Sequence, residues 1–182
     1  MKELFYNFDY QLNDKGYKAR KGKIVDASLV DVPKQRNTKK ENTQIKNSEI
    51  PERFTENPNV AAQKDVDARW AKKNKEVHYG YKNHATIDNE HKLIREYVVT
   101  SAEVHDSNVF EEILSENTSK DVWADSAYRN EDHELRLDAM GYRSHVNKKG
   151  ARNMPLTEKV IKTNTRKSKV RARVEHVFFP DE

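Results

Sequence analysis

The sequence contains no cysteine. That excludes a disulfide framework and any thiolate metal site. No apolar stretch approaches the roughly 18 residues of a membrane span. The opening segment MKELFYNFDY carries no apolar signal core. The seven histidines (His78, His84, His91, His105, His133, His145, His176) form no HExxH or HxxxH pair, which argues against zinc. There is no internal repeat. Apolar residues are scarce: Leu, Ile, Val and Phe make up 37 of the 182 residues, near the border of disorder. Charged residues reach 35%, against a usual share of about 25%. The net charge is only +4, so self-repulsion does not favour unfolding. The apolar residues also cluster in short Val-rich runs. These features predict one small α/β domain with long solvated connections, soluble and cytoplasmic.

The charges are unevenly placed. Residues 105–140 hold ten acids and three bases; residues 148–173 hold ten bases and one acid, Glu158. A basic segment of this kind attracts polyanions by counterion release and cannot by itself read sequence. A solvated helix face or a fraying tail is the alternative reading of the same charges.

The periodicity gives an order of elements. Residues 2–15 read as a short helix ended near Gly16. Lys23–Val30 reads as a strand. Residues 31–76, with Pro33, Pro51 and Pro58 and many Asn, Lys and Glu, read as a long irregular insertion. Val77–Asp88 and Leu93–Glu103 read as strands, joined by a tight connection at Asn89–Lys92. Ser107–Leu114 reads as a helix with Val109, Phe110, Ile113 and Leu114 on one stripe. Val122–Ala124 begins a short strand, Glu131–Met140 a helix ended by Gly141, and Tyr142–Val146 a strand. Leu156–Phe178 is mostly helical, with Val170, Val174, Val177 and Phe178 on one face. A three-strand meander followed by alternating α and β elements suits a ribonuclease-H-like fold, although many α+β domains share such an order.

Three acids stand where a metal site can be assembled. Asp26 lies in the first strand on the same side as Ile24. An acid there is costly to bury unless something neutralises it. Asp125 follows the apolar trio of the fourth strand, at the end where α/β sheets place ligands. Glu175 lies on the last helix. Oxygen ligands from separate elements suit Mg²⁺ or Mn²⁺. Each acid taken singly also reads as a surface or capping carboxylate. His105-Asp106 starts the first crossing helix, with Asp106 or Ser107 as its N-cap, and Ser126 and Tyr128 read as packing residues around Asp125. Arg69 and Trp70 suit contact with DNA or a partner, and Trp70 equally suits a plug between insertion and core.

Longer motifs carry a resemblance. They are IVDASLVDVPKQRN at 24–37, QKDVDARWAKKNKEVHYGYKNHATID at 63–88 and KLIREYVVTSAEVHDSNVF at 92–110, then DVWADSAYRN at 121–130 and RKSKVRARVEHVF at 166–178. In these the chain resembles the DDE transposases of bacterial insertion sequences, in the insertion-sequence-five-like branch. The resemblance implies a ribonuclease-H-like catalytic domain over residues 23–178, with 1–22 as the remnant of an N-terminal helical region and 179–182 as a truncated C-terminus. It implies that Asp26, Asp125 and Glu175 are catalytic and hold two Mg²⁺ or Mn²⁺ ions, and that Arg171 is the arginine preceding the glutamate.

The implied reaction is metal-dependent hydrolysis and strand transfer at transposon ends, by in-line displacement without a covalent protein intermediate. The implied partners are transposon-end and target DNA and a second copy of the chain. Lys82 suits a phosphate contact, as the resemblance implies, or equally an outward solvated position, and Lys148, Lys149, Arg152, Lys167, Lys169, Arg171 and Arg173 are expected to form the basic DNA-binding segment. Two other readings stay open: a non-catalytic DNA-binding or dimerisation remnant of a decayed transposase, and a general ribonuclease-H-like nuclease.

Overall fold

In a computed structural model, the described residues are 2–32, 35–73, 75–114, 119–151 and 153–178, with the backbone alone at 175 and 176. Helix α1 spans Lys2–Asp14 and strand β1 spans Lys23–Asp31. Three short helices follow: α2 (Lys39–Lys46), α3 (Glu52–Glu56) and α4 (Pro58–Ala61). Then come β2 (Arg69–Lys73), β3 (Glu76–Asp88), β4 (Ile94–Ser101) and β5 (Asp121–Ala124). The rest is α5 (Glu131–Ala139), β6 (Arg143–Ser144), α6 (Glu158–Arg171) and α7 (Glu175–Phe178). The hydrogen-bonded strand order is β2-β3-β1-β5-β6, with β4 also paired to β3. β1, β5 and β6 run parallel, whereas β2 and β3 are antiparallel. The architecture is therefore mixed α/β. No described helix is long and apolar enough to cross a membrane.

The chain divides into two compact units. The first comprises residues 1–27, 84–98 and 105–182. In it Ile24, Ile87 and Val174 form a buried cluster, with Trp123, Val170, Val177 and Phe178 packed around them. Thus the stripe read on the last helical segment faces Ile24, on the side of β1 that also carries Asp26. Gly22 precedes β1 at φ +98°, and a Cβ there would meet the Trp123 ring at 1.9 Å. Only glycine suits that close, left-handed position. The β3–β4 connection is closed by the Asp88 carboxylate, which accepts hydrogen bonds from the Glu90, His91 and Leu93 N–H groups. Arg95 caps this arrangement. It reaches Asp88 at 3.1 Å and Asp9 of α1 at 2.8 Å, and it donates to the Tyr17 carbonyl.

The second unit comprises residues 28–83 and 99–104. Here the expected irregular insertion at 31–76 is corrected: α2, α3, α4 and β2 occupy it. The cause is local. The Glu41 N–H donates to the Thr38 hydroxyl at 3.2 Å, and the Thr38 N–H donates to the Glu41 carboxylate at 2.6 Å. This capping box starts α2, and Pro58 at the first position starts α4. Asp65 then anchors the segment. Its carbonyl accepts from the Tyr79 hydroxyl at 2.8 Å and its carboxylate from the Tyr81 hydroxyl at 2.7 Å.

Two smaller expectations also change. Ser107–Leu114 forms a 3₁₀ turn over Asp106–Val109 rather than an α-helix. The Phe110 N–H bonds to Ser107, three residues back, while Val109, Phe110, Ile113 and Leu114 are all buried as the stripe required. His105, not Asp106 or Ser107, caps the turn, its Nδ1 accepting from the Ser107 N–H. Strand Tyr142–Val146 shortens to Arg143–Ser144, although His145 and Asn147 still donate to Val122 and Ala124 of β5.

Candidate functional site

The site begins with strand register. β1 and β5 pair Ile24 with Trp123 and Val25 with Ala124. The next step along both strands sets Asp26 beside Asp125, on neighbouring strands about 4.8 Å apart. β5 stops at Ala124 because Asp125 caps the following turn: its Oδ1 accepts from the Ala127 N–H at 3.0 Å. The Ser126 hydroxyl donates to the same oxygen at 3.0 Å. The Ala27 N–H donates to Asp26 Oδ1 at 2.9 Å, so both carboxylates are held from behind.

Arg171, the last residue of α6, joins them. Its Nη1 lies 3.2 Å from Asp125 Oδ2 and 3.7 Å from Asp26 Oδ2. Those two oxygens therefore lie no farther apart than the sum of these distances, about 7 Å, within reach of a shared cation pair. Burial pushes the Asp125 carboxyl up, but the Ala127 N–H, the Ser126 hydroxyl and the Arg171 guanidinium outweigh it and hold the group below its ordinary value. Tyr128 backs the site, buried, packed on Phe110 at 5.2 Å between ring centroids, with its hydroxyl pKa pushed up by burial.

The third acid is placed only through its backbone. Glu175 opens α7, directly after buried Val174; its side chain lies outside the described residues. Among the described residues no group of three His, Cys, Asp or Glu side chains is set to hold a metal ion. The donor set present still fits a hard cation. Two carboxylates converge from separate elements, and a guanidinium nitrogen already sits between them.

The expected DNA-contacting bases separate into two groups. Lys148, Lys149, Lys169 and Arg173 are exposed, although Arg173 also donates to the Asn89 side chain at 2.8 Å. Three others are engaged within the fold. Lys82 donates to the Val104 carbonyl at 2.7 Å, Lys167 donates to the Val146 carbonyl at 2.9 Å, and Arg171 bridges the two aspartates. Burial, helped by Arg129, lowers the Lys167 pKa. Arg152 lies outside the described residues. Trp70 packs on Tyr79 and donates to the Asn37 carbonyl, inside the second unit. The sequence named Arg171 but not its bridging role. Only its position four residues before Glu175, on the face of Val174, hinted at it.

An oxygen-rich acidic pair at adjacent ends of parallel strands is the class of site this sheet defines. The chain belongs to the transposase DDE domain family, whose model matches residues 17–178. It is 31% identical to a transposase for insertion sequence element IS1106 from Neisseria meningitidis serogroup B, over 98% of this chain and 60% of that protein. The chain thus spans less than two thirds of that relative's length. No solved structure matches it significantly.

Proposed function

We propose that this chain carries the catalytic centre of an insertion-sequence transposase, on a ribonuclease-H-like domain. One observation carries the reading: Asp26 and Asp125 converge on one nitrogen of Arg171. Asp26, Asp125 and Glu175 would hold two Mg²⁺ or Mn²⁺ ions. When bound, such ions neutralise charge developing on a scissile phosphodiester. Asp125 is ionised at neutral pH, since its carboxyl is held low, so it accepts a cation without releasing a proton. Arg171 keeps the two carboxylates turned toward each other. Tyr128, buried behind them, shapes the site rather than attacking.

The reaction is hydrolysis of a phosphodiester at a transposon end, followed by attack of the freed 3′-hydroxyl on target DNA. In each step one P–O bond forms as another breaks, and no bond to the protein is made. Exposed Lys148, Lys149, Lys169 and Arg173 supply contacts to the phosphate backbone, and a second copy of the chain holds the other end. A DNA-acting protein of this kind works in the cytoplasm.

The test is strand cleavage of duplex DNA bearing the element's terminal repeats, with Mg²⁺. Asp26→Asn and Asp125→Asn should each abolish cleavage and leave duplex binding within about twofold. Cleavage that survives either substitution would refute the reading.

A further inference from the structure

Helix α6 has two faces of different kind. On one, Val170 packs against the Ile24–Ile87–Val174 cluster and Arg171 reaches Asp26 and Asp125. On the same side Lys167 donates to the Val146 carbonyl, and Asn164 exchanges two hydrogen bonds with the Lys148 backbone, at 3.0 and 2.8 Å. These contacts hold the helix against the rest of the first unit. On the other face Lys159, Lys162, Arg166 and Lys169 are exposed, as is Arg173 on the short turn that continues the helix. The five recur at steps of three, four, three and four residues, so they form one row about 21 Å long. Lys169 and Arg173 each stand two residues from Arg171, about 200° around the axis. The row therefore faces away from the catalytic pair.

Like charges three and four residues apart destabilise a helix. Glu158 is the one acid of α6. Among the described residues, no acid pairs with the side chains of Lys159, Lys162, Arg166 or Lys169. A polyanion lying along the row relieves that repulsion. Thr163 and Thr165 flank the row, but their hydroxyls donate to the Lys159 and Ile161 carbonyls of the same helix. The face thus offers charge and little else, which suits phosphates of any sequence. A straight row also favours a stiff partner. Duplex DNA, with a persistence length of about 50 nm, keeps its phosphates aligned over this span, whereas a single strand must first be ordered. An anionic membrane would need an apolar flank, and Ile161 is the one large apolar side chain exposed on α6.

We propose that the outer face of α6 binds the phosphate backbone of duplex DNA of any sequence, through Lys159, Lys162 and Arg166 with Lys169 and Arg173 completing the row. This goes beyond the cleavage reading. Neither Asp26 nor Asp125 takes part, and the DNA held here is a stretch other than the one at the two aspartates.

The test titrates the whole chain, in EDTA, with a labelled duplex of about 20 base pairs that lacks the terminal repeats, following fluorescence anisotropy from about 50 to 200 mM salt. The triple variant Lys159→Gln, Lys162→Gln, Arg166→Gln changes exposed side chains only and should match the wild type in urea denaturation. Its affinity should fall at least about tenfold and its salt slope by about 2.7, three phosphate contacts at about 0.9 each. Each single substitution should lower the slope by about 0.9 and keeps the test open should the triple variant not fold. A control that removes the same charge from the second unit, Lys39→Gln, Lys40→Gln, Lys72→Gln, should lose no more than about twofold. Wild-type chain should bind the duplex more tightly than a single strand of the same length. At saturating terminal-repeat DNA with Mg²⁺, the triple variant should cleave within about twofold of wild type.

An unchanged salt slope in the triple variant, or an equal loss in the control, would overturn the proposal. So would equal affinity for the single strand, or tighter binding to vesicles containing phosphatidylserine. Loss of cleavage in the triple variant at saturating DNA would put the row in the cleavage site and overturn it as a separate surface. Binding is read without metal, so its failure leaves the cleavage test standing, and Asp26→Asn should leave this binding intact.

Discussion

Asp26 and Asp125 occupy the step that follows the paired residues Val25 and Ala124, and both point an oxygen at Nη1 of Arg171. Two like charges on adjacent strands repel. Their juxtaposition persists because a guanidinium lies between them and because each carboxylate also accepts a backbone N–H. The register of a parallel pair, set by Ile24, Val25, Val122 and Ala124 in the core, thus fixes the distance between the two acids.

Val174 registers the last helical segment against the same strand. It is buried with Ile24 and Ile87, and Glu175 follows it directly. Val174→Ala removes two buried carbons and leaves a small cavity, at a cost of about 2 kcal/mol. Urea denaturation should show that loss. Cleavage should fall by more than stability explains, since Glu175 loses its anchor. Wild-type cleavage in a measurably destabilised Val174→Ala chain would sever Glu175 from the site.

Arg95 and Asp88 form a buried ion pair, 2% and 0% exposed at their side chains. Removing one partner strands the other charge in the interior. Arg95→Met should therefore destabilise the chain by about 3 kcal/mol or more. It should also free α1, which buries no residue and is held through Asp9–Arg95, Tyr6–Glu96 and Phe5–Tyr97. Faster hydrogen exchange at residues 2–14 in the variant is the expected readout; exchange equal to wild type would show that α1 is held otherwise.

Strands β1, β4 and β5 were legible because they are written in β-branched residues: KIVDASLV, EYVV and DVWA need no tertiary information to be read as strands, whereas β2, RWAKK, has none and was not. The helical stripe Val170, Val174, Val177 and Phe178 was legible from its spacing at i, i+4, i+7 and i+8. Pro33, Pro51 and Pro58 masked the insertion. They suggested irregular chain, while Thr38 and Glu41, three apart, already spelled a capping box. The two aspartates were visible as acids in apolar strands. What joins them was not, since spacing along α6 does not say which strand Arg171 will face.

Lys23 predicts an unusual pH response. It is fully buried, its Nζ lies 5.6 Å from the centroid of the Tyr142 ring, and burial lowers its pKa to about 8. The unfolded chain holds that proton up to about pH 10.4. Between these values the unfolded state binds more protons, so stability should rise with pH from about 8 to 10.4, by roughly 3 kcal/mol at the upper end. The penalty is in full force below pH 8. Lys23→Met should erase this rise, and urea titrations at pH 7 and pH 10 decide it. A flat profile in the wild type would mean that Lys23 keeps its ordinary pKa.

Arg171 stands where a bound cation would do its work, and this gives a test of the site that does not depend on catalysis. In Arg171→Ala the two carboxylates face each other without the guanidinium. The groups are partly exposed, so the loss in EDTA should be modest, about 1 kcal/mol, or 2–4 °C in melting temperature for a chain of this size. Mg²⁺ should then stabilise the variant more than the wild type, because no internal cation competes for the oxygens. At a hundredfold excess over its dissociation constant the gain approaches 2.7 kcal/mol. Adding Asp26→Asn to Arg171→Ala should remove that Mg²⁺-dependent gain. If Mg²⁺ raises the melting temperature of the double variant as much as that of Arg171→Ala alone, the aspartate pair is not where the cation binds.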